Sequence, residues 1–297
     1  MSTRTQRRRI QRISVSDDPA AGSAGPLAGA RADLLAVEEP LEIRIGGQPL
    51  TVTMRTPGDD IDLAAGFLFT EGLLFPEVDL RQIRMCDENV ADATLEVADL
   101  PSAAEVQRAT DARRAQQTAQ ERAQRNFLTT SACGVCGKES IDAIRVRSRY
   151  DLTADQTQVS PVVLAGLPDR LREAQRVFAS TGGLHAAGLF STDGSLAVLR
   201  EDVGRHNAVD KVIGWALRAG RLPARGHILM VSGRASFELV QKAAVAGLPV
   251  LAAVSAPSSL AADLAEETGM TLVGFLRGNS MNAYTGLQRL TGITTPA

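Results

Sequence analysis

The last third of the chain alternates short apolar runs with segments of helical spacing. The apolar runs are His227 to Val231, Pro249 to Val254 and Met270 to Leu276, and the helical segments between them are Ala235 to Ala246 and Leu260 to Thr268. A strand–helix–strand succession with short joints requires parallel strands joined by right-handed crossovers. The sequence therefore predicts an α/β fold for this part of the chain.

Each of these predicted strands ends in residues that suit a ligand. The three ends read Ser232-Gly233-Arg234, Ser255-Ala256-Pro257 and Arg277-Gly278-Asn279-Ser280. Because the carboxyl ends of parallel strands share one edge of a sheet, we expect these residues to lie side by side where open α/β sheets bind ligands. Helix N-termini and guanidinium groups at that edge suit a phosphate or diphosphate. The alternative is that the glycines only end strands and that Arg234 and Arg277 pair with acids.

The chain of 297 residues is long enough for two globular parts. Leu41, Ile43 and Ile45 alternate with polar residues before Gly46-Gly47, and alternation resumes after it, which indicates a β-hairpin. A helix from Ile61 to Glu71 and short strands near Ile83 and Leu95 follow. We predict an α+β molecule overall, with a small β-rich N-terminal domain over residues 31–126, including an Ala/Gln/Arg-rich linker, and an α/β domain over residues 127–297.

The charge is distributed unevenly along the chain. Lys and Arg number 32 against 34 Asp and Glu, yet the first twelve residues hold five arginines and no acid, which leaves 27 against 34 elsewhere. We interpret residues 1–30 as a disordered Arg-rich tail on an acidic body, which disfavours a general polyanion binder. Aromatic residues make up only 4% of the chain, which argues against a nucleic-acid partner. No signal peptide or membrane span is predicted, so we expect a cytoplasmic protein.

Cys133 and Cys136 form a C-x-x-C pair inside a loop of small residues. Such a pair supports redox exchange, metal ligation or carriage of a sulfane sulfur. Structural zinc usually needs four ligands, and the chain offers only Cys86 and three scattered histidines besides the pair, so we predict no metal site. The motif Glu201 to Lys211 places several charged and amide side chains at the start of a predicted helix. Arg205 and His206 could face a ligand there, or the motif could be only a capped and solvated helix terminus.

Several motifs together resemble the FdhD family, the sulfur carriers required for formate dehydrogenase activity. They are Arg55 to Asp60, Gly66 to Gly72, Ser131 to Gly137, Gly182 to Ala187, Glu201 to Lys211 and Ser232 to Arg234. The resemblance covers about residues 35 to 290. It implies a cytidine-deaminase-like fold for the C-terminal domain.

The resemblance also implies a function and its partners. The protein would be a sulfurtransferase of the carrier type that accepts persulfide sulfur from a cysteine desulfurase on Cys133, with Cys136 assisting. It would pass the sulfur to molybdenum bis(molybdopterin guanine dinucleotide), the bound client cofactor, before insertion into formate dehydrogenase, and it would act as a homodimer. The residues implied to contact the guanine nucleotide part are Phe275, Leu276, Arg277, Gly278, Asn279 and Ser280.

Two other functions stay open from the residues alone. One is a nucleotide-binding redox or regulatory module that uses Cys133 and Cys136 as a dithiol switch. The other is a scaffold without catalytic activity that holds a molybdoenzyme subunit.

Overall fold

The computed structural model describes residues 3–14, 27–74, 78–97 and 148–293, which form three sheets and six α-helices. The strands are β1 (Thr5–Ser14), β2 (Leu27–Ala36), β3 (Glu39–Ile45), β4 (Gln48–Arg55), β5 (Val78–Asp87), β6 (Val90–Val97), β7 (His185–Ser191), β8 (Leu196–Asp202), β9 (His227–Val231), β10 (Val250–Ala253), β11 (Thr271–Arg277) and β12 (Ser280–Thr285). The helices are α1 (Asp60–Thr70), α2 (Pro161–Ala174), α3 (Arg176–Thr181), α4 (Arg205–Arg218), α5 (Phe237–Val245) and α6 (Ser259–Thr268).

The largest sheet has the order β12-β11-β10-β9-β7-β8. Strands β9, β10 and β11 are parallel, with Leu251 of β10 opposite Leu229 and Leu272 of its neighbours, while β7 runs antiparallel to both β8 and β9. Helices α5 and α6 make the two crossovers, and the hydroxyl of Ser258 caps α6 by accepting from the Ala261 N–H at 3.2 Å. The predicted α/β succession is confirmed, since each strand and helix lies within two residues of its expected bounds.

The smaller sheet has the order β4-β3-β6-β5. Strands β3 and β4 form the predicted hairpin, in which Ile45 pairs with Gln48 across Gly46-Gly47. Both glycines have positive φ, 57° and 80°, as a tight two-residue turn requires. The helix expected from Ile61 is α1, but the side chain of Asp59 does not cap it and instead forms an ion pair with Arg4 at 2.7 Å.

The expectation of a disordered arginine-rich start is wrong for residues 5–14. They form β1, which pairs with β2 along its whole length from Thr5 opposite Ala36 to Ser14 opposite Leu27. The composition of this segment indicated disorder because arginines outnumber its two isoleucines, but the strand at residues 27–36 supplies backbone hydrogen bonds.

Two apolar cores lie on opposite faces of the large sheet. The first joins the small sheet with α1, α4, α5 and α6, so that Leu41 and Ile43 share a cluster with Val209 and Leu239. The second packs α2 against the other face. The β-rich part and the α/β part thus share one core. The domain boundary predicted near residue 126 lies outside the described residues.

None of the helices in the described ranges is both long and apolar enough to cross a membrane.

Candidate functional site

The carboxyl ends of β9, β10 and β11 lie together at one edge of the large sheet, as expected. His185 at the start of β7 joins them, because β7 runs antiparallel to β9 and Ser232 N–H donates to the Ala186 carbonyl at 3.0 Å. Helices α4 and α5 begin at the same edge. Their N-cap residues, Gly204 and Ser236, make no side-chain cap, and the first turns of helices without such a cap are suited to bind an anion.

A cavity of about 580 Å³ opens at this edge, within the range of small-molecule sites. One wall is the loop Gly182–Gly183 with His185, another is Ser232 and Val254 at the ends of β9 and β10, and the third comes from α2 and α3. Arg277 lies at the rim, because its Nε donates to the Val254 carbonyl at 3.1 Å.

Three arginines bring positive charge to this edge. Arg234 and Arg277 are exposed, and neither they nor Arg205 has a carboxylate within 4 Å among the residues in the structure. The alternative in which Arg234 and Arg277 pair with acids is therefore wrong for the described part of the chain. The Nε atom of Arg205 is buried and has no hydrogen-bond partner there. Buried donors are almost always satisfied, so an unpaired guanidinium nitrogen at the start of α4, on this edge of the sheet, favours an anionic ligand.

Phe275 has an unusual backbone at the end of β11. Its φ is 50°, a left-handed conformation that is uncommon for an aromatic residue, and it lies in an irregular stretch of pairing between Gly274 and Arg277. Its N–H donates to the Ser255 carbonyl at 3.2 Å, and its side chain is 41% exposed. A strained backbone at an exposed aromatic residue beside the strand ends motivates a test of function for Phe275.

The other residues expected at the end of β11 separate into two groups. Leu276 is fully buried, and its side chain belongs to the core beneath α2. Gly278 and Asn279 form the turn into β12, and Ser280 begins β12 opposite Arg277. Phe275 and Arg277 are thus the two large side chains of this stretch that lie exposed at the edge.

The histidines differ in their surroundings. Burial, followed by the positive charge of Arg205, lowers the pKa of His185 below its usual range. The Nε2 atom of His206 is 2.7 Å from a carboxylate oxygen of Glu238 and 3.3 Å from the hydroxyl of Ser236. The hydrogen bond from His206 lowers the pKa of Glu238. His227 opens β9 as expected.

Two acids of the Glu201–Lys211 motif, Glu201 and Asp202, form hydrogen bonds and an ion pair next to the site. The carboxylate of Glu201 accepts from the N–H groups of Val177 and Phe178, at 3.0 and 2.7 Å, and thereby holds the start of α3. Asp202 is fully buried and pairs with Lys211 at 2.7 Å. Glu201 thus positions the α3 wall of the cavity, whereas the Asp202 carboxylate is bound to Lys211 in the interior.

The wall formed by α2 and α3 was missed by the sequence analysis. Arg172 stacks over the ring of Phe178 at 4.0 Å, and both residues line the cavity with Gln175. A signal for α2 was present, since Ser160-Pro161 is a typical helix start and Leu164, Leu167 and Leu171 have helical spacing. No local signal indicated that this helix lines the ligand edge.

Cys133 and Cys136 lie outside the described residues. The described ranges contain no group of three or more His, Cys, Asp or Glu residues placed to hold a metal ion.

The fold and the site define a mixed α/β protein with a cavity at the carboxyl edge of its main sheet, and with Arg205, Arg234 and Arg277 at that same edge. Comparisons with known proteins give the family. The model of the FdhD/NarQ family matches residues 36–291. The chain therefore belongs to the FdhD/NarQ family.

Similar proteins carry related names. The chain is 53% identical over 293 residues to a sulfur carrier protein FdhD of Nocardia farcinica, covering 98% of this chain and 96% of that protein. It is 56% identical over 261 residues to one of Streptomyces coelicolor, covering 88% and 90%. A crystal structure of a putative formate dehydrogenase accessory protein from Desulfotalea psychrophila matches with a TM-score of 0.66 at 23% identity, covering 95% and 99%, and shows the same fold.

Proposed function

We propose that this protein is a sulfur carrier that accepts a persulfide sulfur from a cysteine desulfurase and delivers it for the maturation of formate dehydrogenase. Family membership and the names of the relatives support this role. The client is molybdenum bis(molybdopterin guanine dinucleotide), which is cargo rather than a resident cofactor. The protein acts as a homodimer and contacts formate dehydrogenase when the cargo is handed over.

The transfer steps are thiol–disulfide chemistry. The thiolate of Cys133 attacks the outer sulfur of the desulfurase persulfide, the sulfur–sulfur bond breaks, and the desulfurase cysteine leaves as a thiolate. Cys133 then holds the persulfide without net oxidation. Attack by the Cys136 thiolate on the inner sulfur of Cys133 expels hydrosulfide and leaves a Cys133–Cys136 disulfide, which a cellular thiol reductant must reopen.

The observation that carries the cargo part of the proposal is the set of arginines without acid partners at the sheet edge where the cavity opens. Arg205, Arg234 and Arg277 have no acid partner in the described residues, and two uncapped helix N-termini lie beside them. A diphosphate accepts hydrogen bonds from both kinds of donor. The exposed ring of Phe275 offers a surface on which a guanine base can stack.

The sulfur step is tested by mass spectrometry after incubation with a cysteine desulfurase and cysteine. We expect a gain of one sulfur atom on the peptide that contains Cys133 and Cys136. The Cys133→Ala protein should gain none, whereas the Cys136→Ala protein should load and then release sulfur slowly. Loading of the Cys133→Ala protein at the wild-type level would contradict the assignment of Cys133.

The cargo step is tested with guanosine diphosphate as the probe in calorimetric titrations. We expect Arg277→Gln to weaken binding by about tenfold, the loss of one charge-assisted hydrogen bond. Arg225→Gln is the matched control, since Arg225 is exposed just before β9 begins, at the opposite edge of the sheet. Equal binding by both variants would contradict the nucleotide site and would favour a scaffold role.

The dithiol switch is separated from sulfur carriage by the dependence of the disulfide on a desulfurase. Both functions pass through a Cys133–Cys136 disulfide, but a switch forms it in a redox titration without gaining sulfur, whereas the carrier first gains one sulfur atom from the desulfurase and forms it as hydrosulfide leaves. A reduced protein that gains no sulfur with desulfurase and cysteine, yet titrates reversibly to the disulfide, would favour the switch.

A further inference from the structure

Strands β1 and β2 form a basic ribbon that is separate from both other sheets. Residues 8–14 and 28–32 are exposed at every position except Ile10, which is half-buried. The exposed side chains include two large apolar ones, Ile13 at 65% and Leu35 at 39%. A two-stranded ribbon is only marginally stable in water unless another surface covers it.

The ribbon is attached to the body at one end. The Val37 N–H donates to the Arg4 carbonyl at 3.0 Å, and the guanidinium of Arg4 pairs with Asp59 at 2.7 Å. Ala36 lies beside Gly183, at the rim of the cavity. Strands of ten residues extend about 34 Å. The exposed far half of the ribbon therefore reaches away from this anchor.

The charge of the ribbon is opposite to that of the rest of the chain. Its two strands hold one acid, Asp33, no lysine, and five exposed arginines, which are Arg7, Arg8, Arg9, Arg12 and Arg31. The whole chain has 32 basic and 34 acidic residues. Without the five arginines and Asp33 of the ribbon, 27 basic and 33 acidic residues remain, a net charge of −6. Arginine is enriched and lysine depleted at protein interfaces, so this composition favours contact with protein.

We propose that the basic ribbon docks on the acidic body of a second copy of this chain, with each copy extending its ribbon to the other. A second copy has the complementary charge, because the chain outside the ribbon carries a net charge of −6, and reciprocal contacts are what a twofold dimer requires. The family model begins at residue 36, so family membership does not assign this segment a role. The proposal rests on the homodimer of the proposed function but not on its sulfur or nucleotide chemistry.

The test is sedimentation equilibrium of the full chain at salt concentrations below and above about 0.15 M. The double variant Arg9→Gln/Arg12→Gln removes two positive charges from the ribbon. Arg9 and Arg12 lie opposite Ala32 and Gly29, so neither has an acid as its cross-strand partner. Arg84→Gln/Arg225→Gln is the control with the same change in net charge at exposed arginines of the body. We expect salt to weaken the wild-type dimer and the ribbon variant to raise the dimer Kd by about tenfold, while the control stays within about twofold.

Three outcomes would overturn the proposal. They are a monomer at every salt concentration, a dimer that the ribbon variant leaves unchanged, and equal weakening by variant and control. Nucleic acid that copurifies with a wild-type monomer and is lost from the ribbon variant would assign the ribbon to a polyanion instead. Circular dichroism melting checks that the variants fold. Sulfur loading and guanosine diphosphate binding should be unchanged in the ribbon variant, so a failure here is distinguishable from a failure of the proposed function.

Discussion

Gly66 of α1 and Gly214 of α4 meet where the two helices cross. A β-carbon at Gly66 would lie 1.8 Å from the carbonyl oxygen of Asp210, and a β-carbon at Gly214 would lie 1.8 Å from the carbonyl oxygen of Asp62. Real β-carbons do not approach a backbone oxygen so closely. Only glycine, which has no β-carbon, therefore fits at either position. This crossing joins the β-rich part of the chain to the α/β part.

Substitution Gly214→Ala should therefore destabilise the whole fold. Overpacking costs about 1–3 kcal/mol or more where the neighbouring atoms are backbone and cannot move aside. Gly166→Ala in α2 is the matched control, because the nearest heavy atom to its new β-carbon is Arg170 Nε at 4.0 Å. We expect that control to gain about 0.5–1 kcal/mol from helix propensity. Urea unfolding of both variants measures the contrast, and equal midpoints would contradict the tight crossing.

The same interface contains a buried ion pair between Asp210 and Lys242. The Nζ atom of Lys242 is 2.9 Å from both carboxylate oxygens of Asp210, and the hydroxyl of Thr70 donates to Asp210 at 2.8 Å. Burial opposes the charge on Lys242, but the carboxylates of Asp210 and Glu71 outweigh it and raise the pKa of the ammonium group.

Asp210→Asn should cost up to about 3–5 kcal/mol, since it leaves the charge of Lys242 in the core with only the half-buried Glu71 carboxylate, at 3.2 Å, as its ionic partner. The double variant Asp210→Leu/Lys242→Met removes both charges and should recover most of that loss. A double-mutant cycle in denaturant measures the coupling. Additive losses, with the double variant worse than either single one, would show that the pair does not act as a unit.

The local pattern of the chain predicted the elements that form this interface but not the interface itself. Alternation of apolar runs with helical spacing located β9, β10 and β11, because each element carries its own period. A glycine inside a helical pattern indicates only a weaker helix, so the sequence near Gly66 and Gly214 did not predict the close crossing of α1 and α4. Asp210 and Lys242 are 32 residues apart, and their pairing depends on how α4 and α5 pack.

Local sequence patterns predicted the strand ends of the candidate site but not the helices that line its cavity. Parallel strand ends meet at one edge by geometry, which placed Arg234 and Arg277 together with Phe275. The wall of Arg172 and Phe178 comes from α2 and α3, and packing between segments distant in sequence has no local signature.

Phe275 offers a test of strain against function. Both Phe275→Gly and Phe275→Ala remove the ring, but only glycine adopts a φ of 50° without steric cost. We expect the glycine variant to be about 1 kcal/mol more stable than the alanine variant in urea unfolding. Both variants should bind guanosine diphosphate about tenfold more weakly than the wild type, since base stacking on an aromatic ring contributes about 1–3 kcal/mol. Wild-type affinity in both would show that the ring does not contact the base.

His185 should make the stability of the protein depend on pH near neutrality. Burial and then the charges of Arg205 and His206 lower its pKa, so the folded chain resists a proton that the unfolded chain accepts near pH 6.5. Because the unfolded state then binds more protons, the contribution of neutral His185 is complete above pH 6.5 and is lost as the pH falls from there toward the lowered pKa. His185→Gln should flatten the pH dependence of the free energy of unfolding in this window relative to the wild type. Urea unfolding between about pH 5 and pH 8 measures both slopes. A His185→Gln slope equal to that of the wild type would show that another group carries the proton linkage.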